Sequence, residues 1–224
     1  MATKTKAPVR SGAGKGGRRP PVKVKRGRDV PILPIAVAVI LLAFAIAVIV
    51  YFVVNNKSSA PQLAGNIPCD QLEHTQVHYH AAIQIVYQGV VHPIPSNIGI
   101  VTDSTGAVTC YYWLHVHAAN PNVIHIESPA SQTFTLGQFF TVWDTWSRAK
   151  GDSAQRLDAT HVSTLSLTPE QKLLIYIDKQ DGKGAQIYTG DPKAIVLANH
   201  EVITLEITPP GVTPPPAFTF TSGL

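Results

Sequence analysis

Histidines are concentrated at a few places in this sequence of 224 residues, which contains nine of them. Three fall together with one glutamate in the stretch YYWLHVHAANPNVIHIESP, and another pair stands in the earlier stretch VHYHAAIQIVY. Imidazole and carboxylate groups bind Zn²⁺, Cu²⁺ and non-haem iron in proteins. We therefore predict a transition-metal site. Its candidate ligands are His78, His80, His115, His117, His125 and Glu127.

The alternation of these residues along the sequence supports the prediction of a metal site. If the segments on either side of AANPN are strands, side chains alternate between two faces. One face is apolar and carries Tyr112, Leu114, Val116, Ile124 and Ile126. The other carries Trp113, His115, His117, Val123, His125 and Glu127. If AANPN closes a hairpin, opposed residues have numbers that sum to about 240, so His115 faces His125.

The earlier stretch repeats this alternation, since His78 and His80 share one face of a predicted strand over Val77–Tyr87. If the sheet brings this strand alongside, five histidines and a glutamate converge, with His74 just upstream. Zn, Cu²⁺ and Fe all remain open as the metal, whereas soft Cu⁺ is disfavoured because Met1 is the sole methionine. A hydrogen-bonded polar network and a pH-sensing cluster are the other interpretations of these histidines. We interpret the remaining histidines, His92, His161 and His200, as ordinary.

The two cysteines, Cys69 and Cys110, each immediately precede a histidine-rich segment. In an oxidising compartment we expect them to form one disulfide that ties these segments together. Two free thiolates acting as metal ligands are the alternative.

The N-terminal region predicts a membrane anchor. Residues 1–30 carry ten Lys/Arg and one Asp, with few large apolar residues, and we expect them to be disordered. The following 31–54 segment contains 23 consecutive residues without charge, enough for a transmembrane helix. The apolar run is too long for a typical cleaved signal peptide, which favours an uncleaved signal anchor.

Charge predicts the orientation. The basic residues precede the span, so the positive-inside rule places the N-terminus in the cytoplasm and the rest of the chain outside. The bilayer is then the expected partner, with anionic lipid headgroups attracting the basic tail. Residues 55–224 carry eight Lys/Arg and thirteen Asp/Glu, a net of about five negative charges, so the outer domain is not expected to bind nucleic acid.

The outer part is organised as a linker over 55–67, an extracytoplasmic domain over 68–208 and a Pro-rich C-terminal tail over 209–224. The domain is predicted to be α+β, with a mostly antiparallel sheet and one main amphipathic helix that begins in a capping box at Thr135. A single helical turn is also expected at Thr168–Gln171. The predicted strands are Val77–Tyr87, Val90–Ile94, Val108–His117, Val123–Glu127, Leu173–Asp178, Gln186–Tyr188 and Val202–Ile207.

Four stretches, CYYWLHVHAANPNVIHIESP, FTLGQFFTVW, GDPKAIVL and FTFTSGL, resemble a family of uncharacterised bacterial membrane-anchored proteins over roughly residues 68–224. The resemblance implies a membrane anchor and no established activity. The family's usual Leu-His-Thr-His-Asp reads Leu114-His115-Val116-His117-Ala118 here, so the aspartate that could assist hydrolytic chemistry is replaced.

Three functions follow from these patterns. The first is a membrane-anchored module that binds a metal outside the cytoplasm. The second is a non-catalytic envelope interaction protein whose histidines only form hydrogen bonds. The third is a metal-dependent enzyme, which the sequence favours least because Glu127 is the sole acid–base candidate on the histidine face and no catalytic residue is assigned.

Overall fold

The structure, a computed structural model, describes residues 32–55 and 62–224, which belong to two compact units. The first described element is helix α1, Ile32–Asn55. Its segment Leu33–Tyr51 has 19 residues, a length of about 28 Å, and is apolar enough to cross a membrane. The predicted disordered tail over 1–30 lies outside the described residues, as do residues 56–61 of the predicted linker over 55–67.

The second unit is built on a seven-stranded central sheet. In sheet order its strands are β13 (Gln186–Tyr188), β12 (Lys172–Asp178), β14 (Val202–Thr208), β3 (Val77–Tyr87), β8 (Val123–Ser128) and β7 (Leu114–His115), with β4 (Val90–His92) also on β3. Strand β14 pairs with β3 in parallel, and every other pairing is antiparallel. The predicted α+β class with a mostly antiparallel sheet is confirmed.

Two smaller sheets complete the unit. One has the order β1 (Gln62–Ala64), β2 (Ile67–Asp70), β6 (Val108–Tyr112) and β5 (Ile100–Thr102). The other has the order β11 (Leu165–Ser166), β10 (His161–Ser163) and β9 (Arg156–Asp158). The sequence pattern predicted only β6 of the first sheet and no strand of the second, because strands of two to four residues show too little alternation to be recognised.

One further α-helix, α2 (Leu136–Ala149), covers the apolar side of the central sheet. The predicted capping box is present, since Thr135 and Gln138 each accept a hydrogen bond from the other's backbone N–H. The aromatic stripe of α2 is buried and consists of Phe139, Phe140, Trp143 and Trp146. Trp146 Nε1 donates to the carbonyl O of Ile100 at 2.9 Å. A 3₁₀ turn at Pro192–Ala194 lies against the start of α2.

Three sequence predictions about local structure are wrong. Val108–His117 is two strands, because the chain breaks at Trp113 and passes from the second sheet to the central one. Thr168–Gln171 forms a single hydrogen-bonded turn and no helix, with Gln171 N donating to Thr168 O. The predicted linker over 55–67 extends too far into the domain, because its residues Gln62–Ala64 form a strand that pairs with β2 and buries Ala64 in the core.

The predicted disulfide is confirmed, with the Cα atoms of Cys69 and Cys110 5.4 Å apart. It joins β2 to β6, the strand that leads into β7. Beside β7, Gly99 has φ +76°, and a Cβ atom there would lie 2.7 Å from the carbonyl O of Leu114. Only glycine fits this close approach. The disulfide and Gly99 thus fix the position of the strand that carries His115.

Candidate metal centre

Three adjacent strands place histidines on one face of the central sheet. The middle strand, β8, contributes His125 and Glu127. On one side His80 and His78 of β3 stand directly opposite these two residues, and on the other side His115 of β7 stands opposite His125. Directly opposed residues of antiparallel strands point to the same face. We call the resulting group, together with His117 just beyond β7, the histidine face.

The predicted hairpin register is confirmed, since Leu114 pairs with Ile126 and His115 pairs with His125. The structure brings all six predicted ligands together on the histidine face. Their donor atoms form two overlapping groups in which all atoms lie within 4.8 Å of one another. The first group contains His115, His117, His125 and Glu127, and the second contains His78, His80 and His125.

One residue of this site was missed by the sequence reasoning. Glu73 lies in the segment between β2 and β3, and its Oε1 is 2.8 Å from His117 Nε2 and 3.3 Å from His115 Nε2. Contact with these two rings, above all with His115, lowers the pKa of Glu73 to about 2 in spite of partial burial. No periodicity marks Glu73 in the sequence. Its proximity to Cys69 was the available signal, because the disulfide brings this segment to the site.

The histidine face has a buried floor and a solvent-facing rim. The floor consists of His80, His115, His125 and Glu127, all buried. The rim consists of three side chains with substantial exposure: His78 at 43%, Glu73 at 38% and His117 at 30%. A solute can therefore approach the floor from the rim.

The floor contains polar atoms without a hydrogen-bond partner. Among the described residues, Nδ1 and Nε2 of His125 and Oε2 of Glu127 are buried and make no hydrogen bond. Buried polar groups are nearly always hydrogen-bonded, and each exception costs about 1–3 kcal/mol. A cation bound by Oε2 of Glu127 and by the lone pair of one His125 nitrogen would remove part of this cost.

His115 is oriented as metal-bound histidines usually are. Its Nδ1 donates to the carbonyl O of Tyr112 at 2.8 Å, so the lone pair of neutral His115 is on Nε2. A hydrogen bond of this kind fixes the tautomer of ligating histidines. Nε2 then points at the ring of His117 and at the Glu73 carboxylate, 3.0 Å and 3.3 Å away.

The spacing of the nitrogens matches two ligands of one ion. Nε2 of His115 lies 3.0 Å from Nε2 of His117, and Nε2 of His78 lies 3.1 Å from Nε2 of His80. Ligands at about 2.0–2.1 Å from an ion are separated by roughly 3.0–3.4 Å in octahedral or tetrahedral geometry.

The protonation states also suit a metal. Burial, with the neighbouring His125 and His78 rings, lowers the pKa of His80 to about 4. Burial likewise lowers the pKa of His117, with His115 and His125 adding to the effect. Both rings are therefore neutral at pH 7 and have a lone pair available.

Asp70, His74 and Trp113 form a group of polar contacts separate from the histidine face. Trp113 Nε1 and His74 Nε2 each lie 2.7 Å from Oδ2 of Asp70. Burial raises the pKa of Asp70, but the hydrogen bonds from His74 and Trp113 outweigh it and the net shift is downward. His74 thus pairs with Asp70. The remaining histidines have contacts of their own, as with His161, which lies 2.9 Å from Asp158, and His200, which donates to the carbonyl O of Leu224.

In comparisons with known proteins, the chain matches no family model, no curated protein and no solved structure.

Proposed function

We propose that this protein is a single-pass membrane protein whose extracytoplasmic domain binds a transition metal through its histidine face. The single observation that carries the proposal is His125, a buried imidazole whose two nitrogens make no hydrogen bond, with Nδ1 3.7 Å from Glu127 Oε1 and four other histidines around it. An isolated buried histidine normally hydrogen-bonds to a protein group or water, whereas here the nearest groups are other ligand-type side chains.

The anchor and the location are supported by two features. Helix α1 is long and apolar enough to cross a membrane, and the Cys69–Cys110 disulfide indicates a secreted or membrane-anchored protein. Ten basic residues precede α1, whereas Lys57 is the one basic residue soon after it. This asymmetry favours a cytoplasmic N-terminus.

The ligand types narrow the choice of metal. Imidazole and carboxylate donors suit Zn²⁺, Cu²⁺ and iron, and the two carboxylates balance the charge of one divalent ion. Both thiols are bonded in the disulfide and Met1 is the sole methionine of the sequence, so a Cu⁺ carrier is disfavoured. Solvent exposure of the rim gives the ion a route of entry.

The test is the metal content of the full chain, purified in detergent micelles with an affinity tag that contains no histidine. We expect close to one ion or more per chain by mass spectrometry, and almost none in His115→Ala/His125→Ala. The matched control is His92→Ala/His161→Ala, which removes two histidines outside the site and should keep the metal. A wild-type chain that carries no metal and takes up neither added Zn²⁺ nor added Cu²⁺ would overturn the proposal, and favour the interaction protein with a hydrogen-bonded histidine face.

A metal-dependent enzyme is the second candidate, and the exposed rim favours it because a rim open to solvent leaves a coordination position for water or substrate. Against it, the low pKa of Glu73 makes this carboxylate a poor general base near neutral pH. Adding azide to the Co²⁺-loaded chain tests the open position. A changed visible spectrum would support the enzyme, and an unchanged one would exclude an accessible position.

A further inference from the structure

We propose that the histidine face holds two metal ions, with His125 bound to both. This inference rests on the proposed metal-binding function and extends it. The floor and the rim together contain seven donor side chains: Glu73, His78, His80, His115, His117, His125 and Glu127. A tetrahedral zinc site uses four ligands, and a catalytic one uses three with an open position. Seven donors exceed what one such ion takes and suffice for two.

The donors divide by strand. One pair, His78 and His80, comes from β3 on one side of β8, and the other pair, His115 and His117, comes from β7 and its extension on the opposite side. Each pair has its two Nε2 atoms 3.0–3.1 Å apart, close enough to bind one ion. The two candidate ligand groups share His125.

The ring of His125 stands between the two pairs. The ring centroids of His80 and His117 are each 4.5 Å from the His125 centroid, both in edge-on contact at about 85° and 82°. Nδ1 and Nε2 of an imidazole point away from each other, and in His125 both are buried and unpartnered. One ion would satisfy one nitrogen and leave the other orphaned. Two ions, with the ring proton released to solvent, satisfy both.

Glu127 can complete either ion. Its Oε1 lies 3.2 Å from His78 Nε2 in one pair and 3.9 Å from His115 Nε2 in the other, while Oε2 is buried without a partner. Glu73 adds a carboxylate oxygen on the side of His115 and His117. Two divalent ions bring four positive charges, against three from the two carboxylates and the His125 imidazolate. The remaining charge would attract one anion, such as hydroxide, through the rim.

The test uses Cu²⁺ as the probe, with the full chain stripped by chelator, loaded in detergent micelles and desalted. We expect two Cu²⁺ per chain, with an integrated electron paramagnetic resonance intensity well below two spins, because a shared imidazolate couples the ions magnetically. His78→Ala and His117→Ala each remove one rim ligand, so each should bind one Cu²⁺ with about one full spin. His92→Ala is the matched control and should keep two coupled ions. Circular dichroism checks that the variants fold.

The outcomes separate the two proposals. No bound Cu²⁺ in the wild type overturns both. One Cu²⁺ per chain overturns the two-ion inference and leaves the proposed function standing. Two Cu²⁺ with two full spins overturn the shared role of His125. Two Cu²⁺ retained in both rim variants overturn the assignment of one histidine pair to each ion.

Discussion

The two faces of strands β3, β8 and β7 are formed by alternate residues of the same strands, and both contain buried side chains, yet the two faces differ in whether those side chains have partners. The apolar face presents Leu114, Ile124 and Ile126 to the hydrophobic core, which includes the aromatic stripe of α2. The histidine face buries His115, His125 and a carboxylate, and leaves nitrogens without partners. The apolar face needs no further partner, whereas the histidine face keeps buried polar atoms that make no hydrogen bond with the described residues.

This difference assigns different roles to the two faces. Burying a Leu or Ile side chain contributes roughly 1.5–3 kcal/mol to folding. Burying an unpartnered imidazole costs free energy. A native protein keeps such an unfavourable group when something binds it or when the function requires it. We infer that the apolar face stabilises the fold, whereas the histidine face is stabilised by its ligand. The following predictions test that division, from the largest expected effect to the smallest.

The largest effect is expected on the apolar face. Ile126→Ala removes a fully buried side chain of the hydrophobic core and should lower the free energy of unfolding by about 2–5 kcal/mol. Metal content at saturating metal should not change. All three tryptophans lie in the second unit, so their fluorescence during urea unfolding of the full chain in micelles reports on it. Ile187→Ala, at a side chain that is 63% exposed, is the control and should change stability by under about 0.5 kcal/mol. Loss of metal in Ile126→Ala would show that the faces are not separable.

Metal binding to the histidine face should have the next largest effect on stability. Free Zn²⁺ at one hundred times its dissociation constant should stabilise the chain by about 2.7 kcal/mol, if the unfolded chain does not bind it. The same urea titration measures this. His115→Ala/His125→Ala should show no such gain, and an equal gain in that variant would locate the zinc elsewhere.

Between about pH 6.5 and pH 4, acid should weaken the metal-free chain through the histidine face. The pKa of His80 is about 4 in the folded chain and about 6.5 for an ordinary histidine, so the unfolded chain binds more protons between these values. Stability therefore falls as pH drops from about 6.5 to 4, by about 1–2 kcal/mol after allowance for solvent screening. The pKa of His117 is lowered in the same way. The pKa of Glu73 is lowered from 4.5 to about 2, so its contribution to stability is lost at lower pH, between these two values.

Urea midpoints measured at several pH values in chelator give this dependence. His80→Gln should flatten the curve in the stated window, and His92→Gln controls for replacing a histidine elsewhere. A curve that stays equally steep in His80→Gln would mean that another group causes the loss.

Much of this division could be predicted from the sequence, because strand alternation is a local property. The two-residue period separated the apolar positions from the histidines, and the short AANPN connection fixed the register of His115 against His125. The capping box at Thr135 is equally local. The disulfide followed from the expected oxidising compartment and from there being two cysteines.

The parts that could not be predicted depend on long-range placement. Insertion of β14 between β12 and β3 joins segments more than a hundred residues apart, and no local pattern encodes it. Glu73 reaches the site through the path of a turn-rich segment that β2 and the disulfide hold in place. The unpartnered nitrogens of His125 depend on what lies around them in three dimensions, which the sequence does not state.

The smallest expected effect is the change in stability on replacing His125. It contrasts the two faces most directly, because its sign should reverse when metal is added. His125→Leu replaces two unpartnered buried nitrogens with an apolar side chain, so the metal-free variant should be as stable as the wild type or more stable by up to about 1 kcal/mol. With saturating Zn²⁺ the order should invert, because only the wild type gains binding free energy at this residue. Ile126→Ala, on the same strand, should be less stable than wild type in both conditions. If metal-free His125→Leu instead loses more than about 1 kcal/mol, its ring is hydrogen-bonded to water in the floor, and the case for an ion at His125 fails.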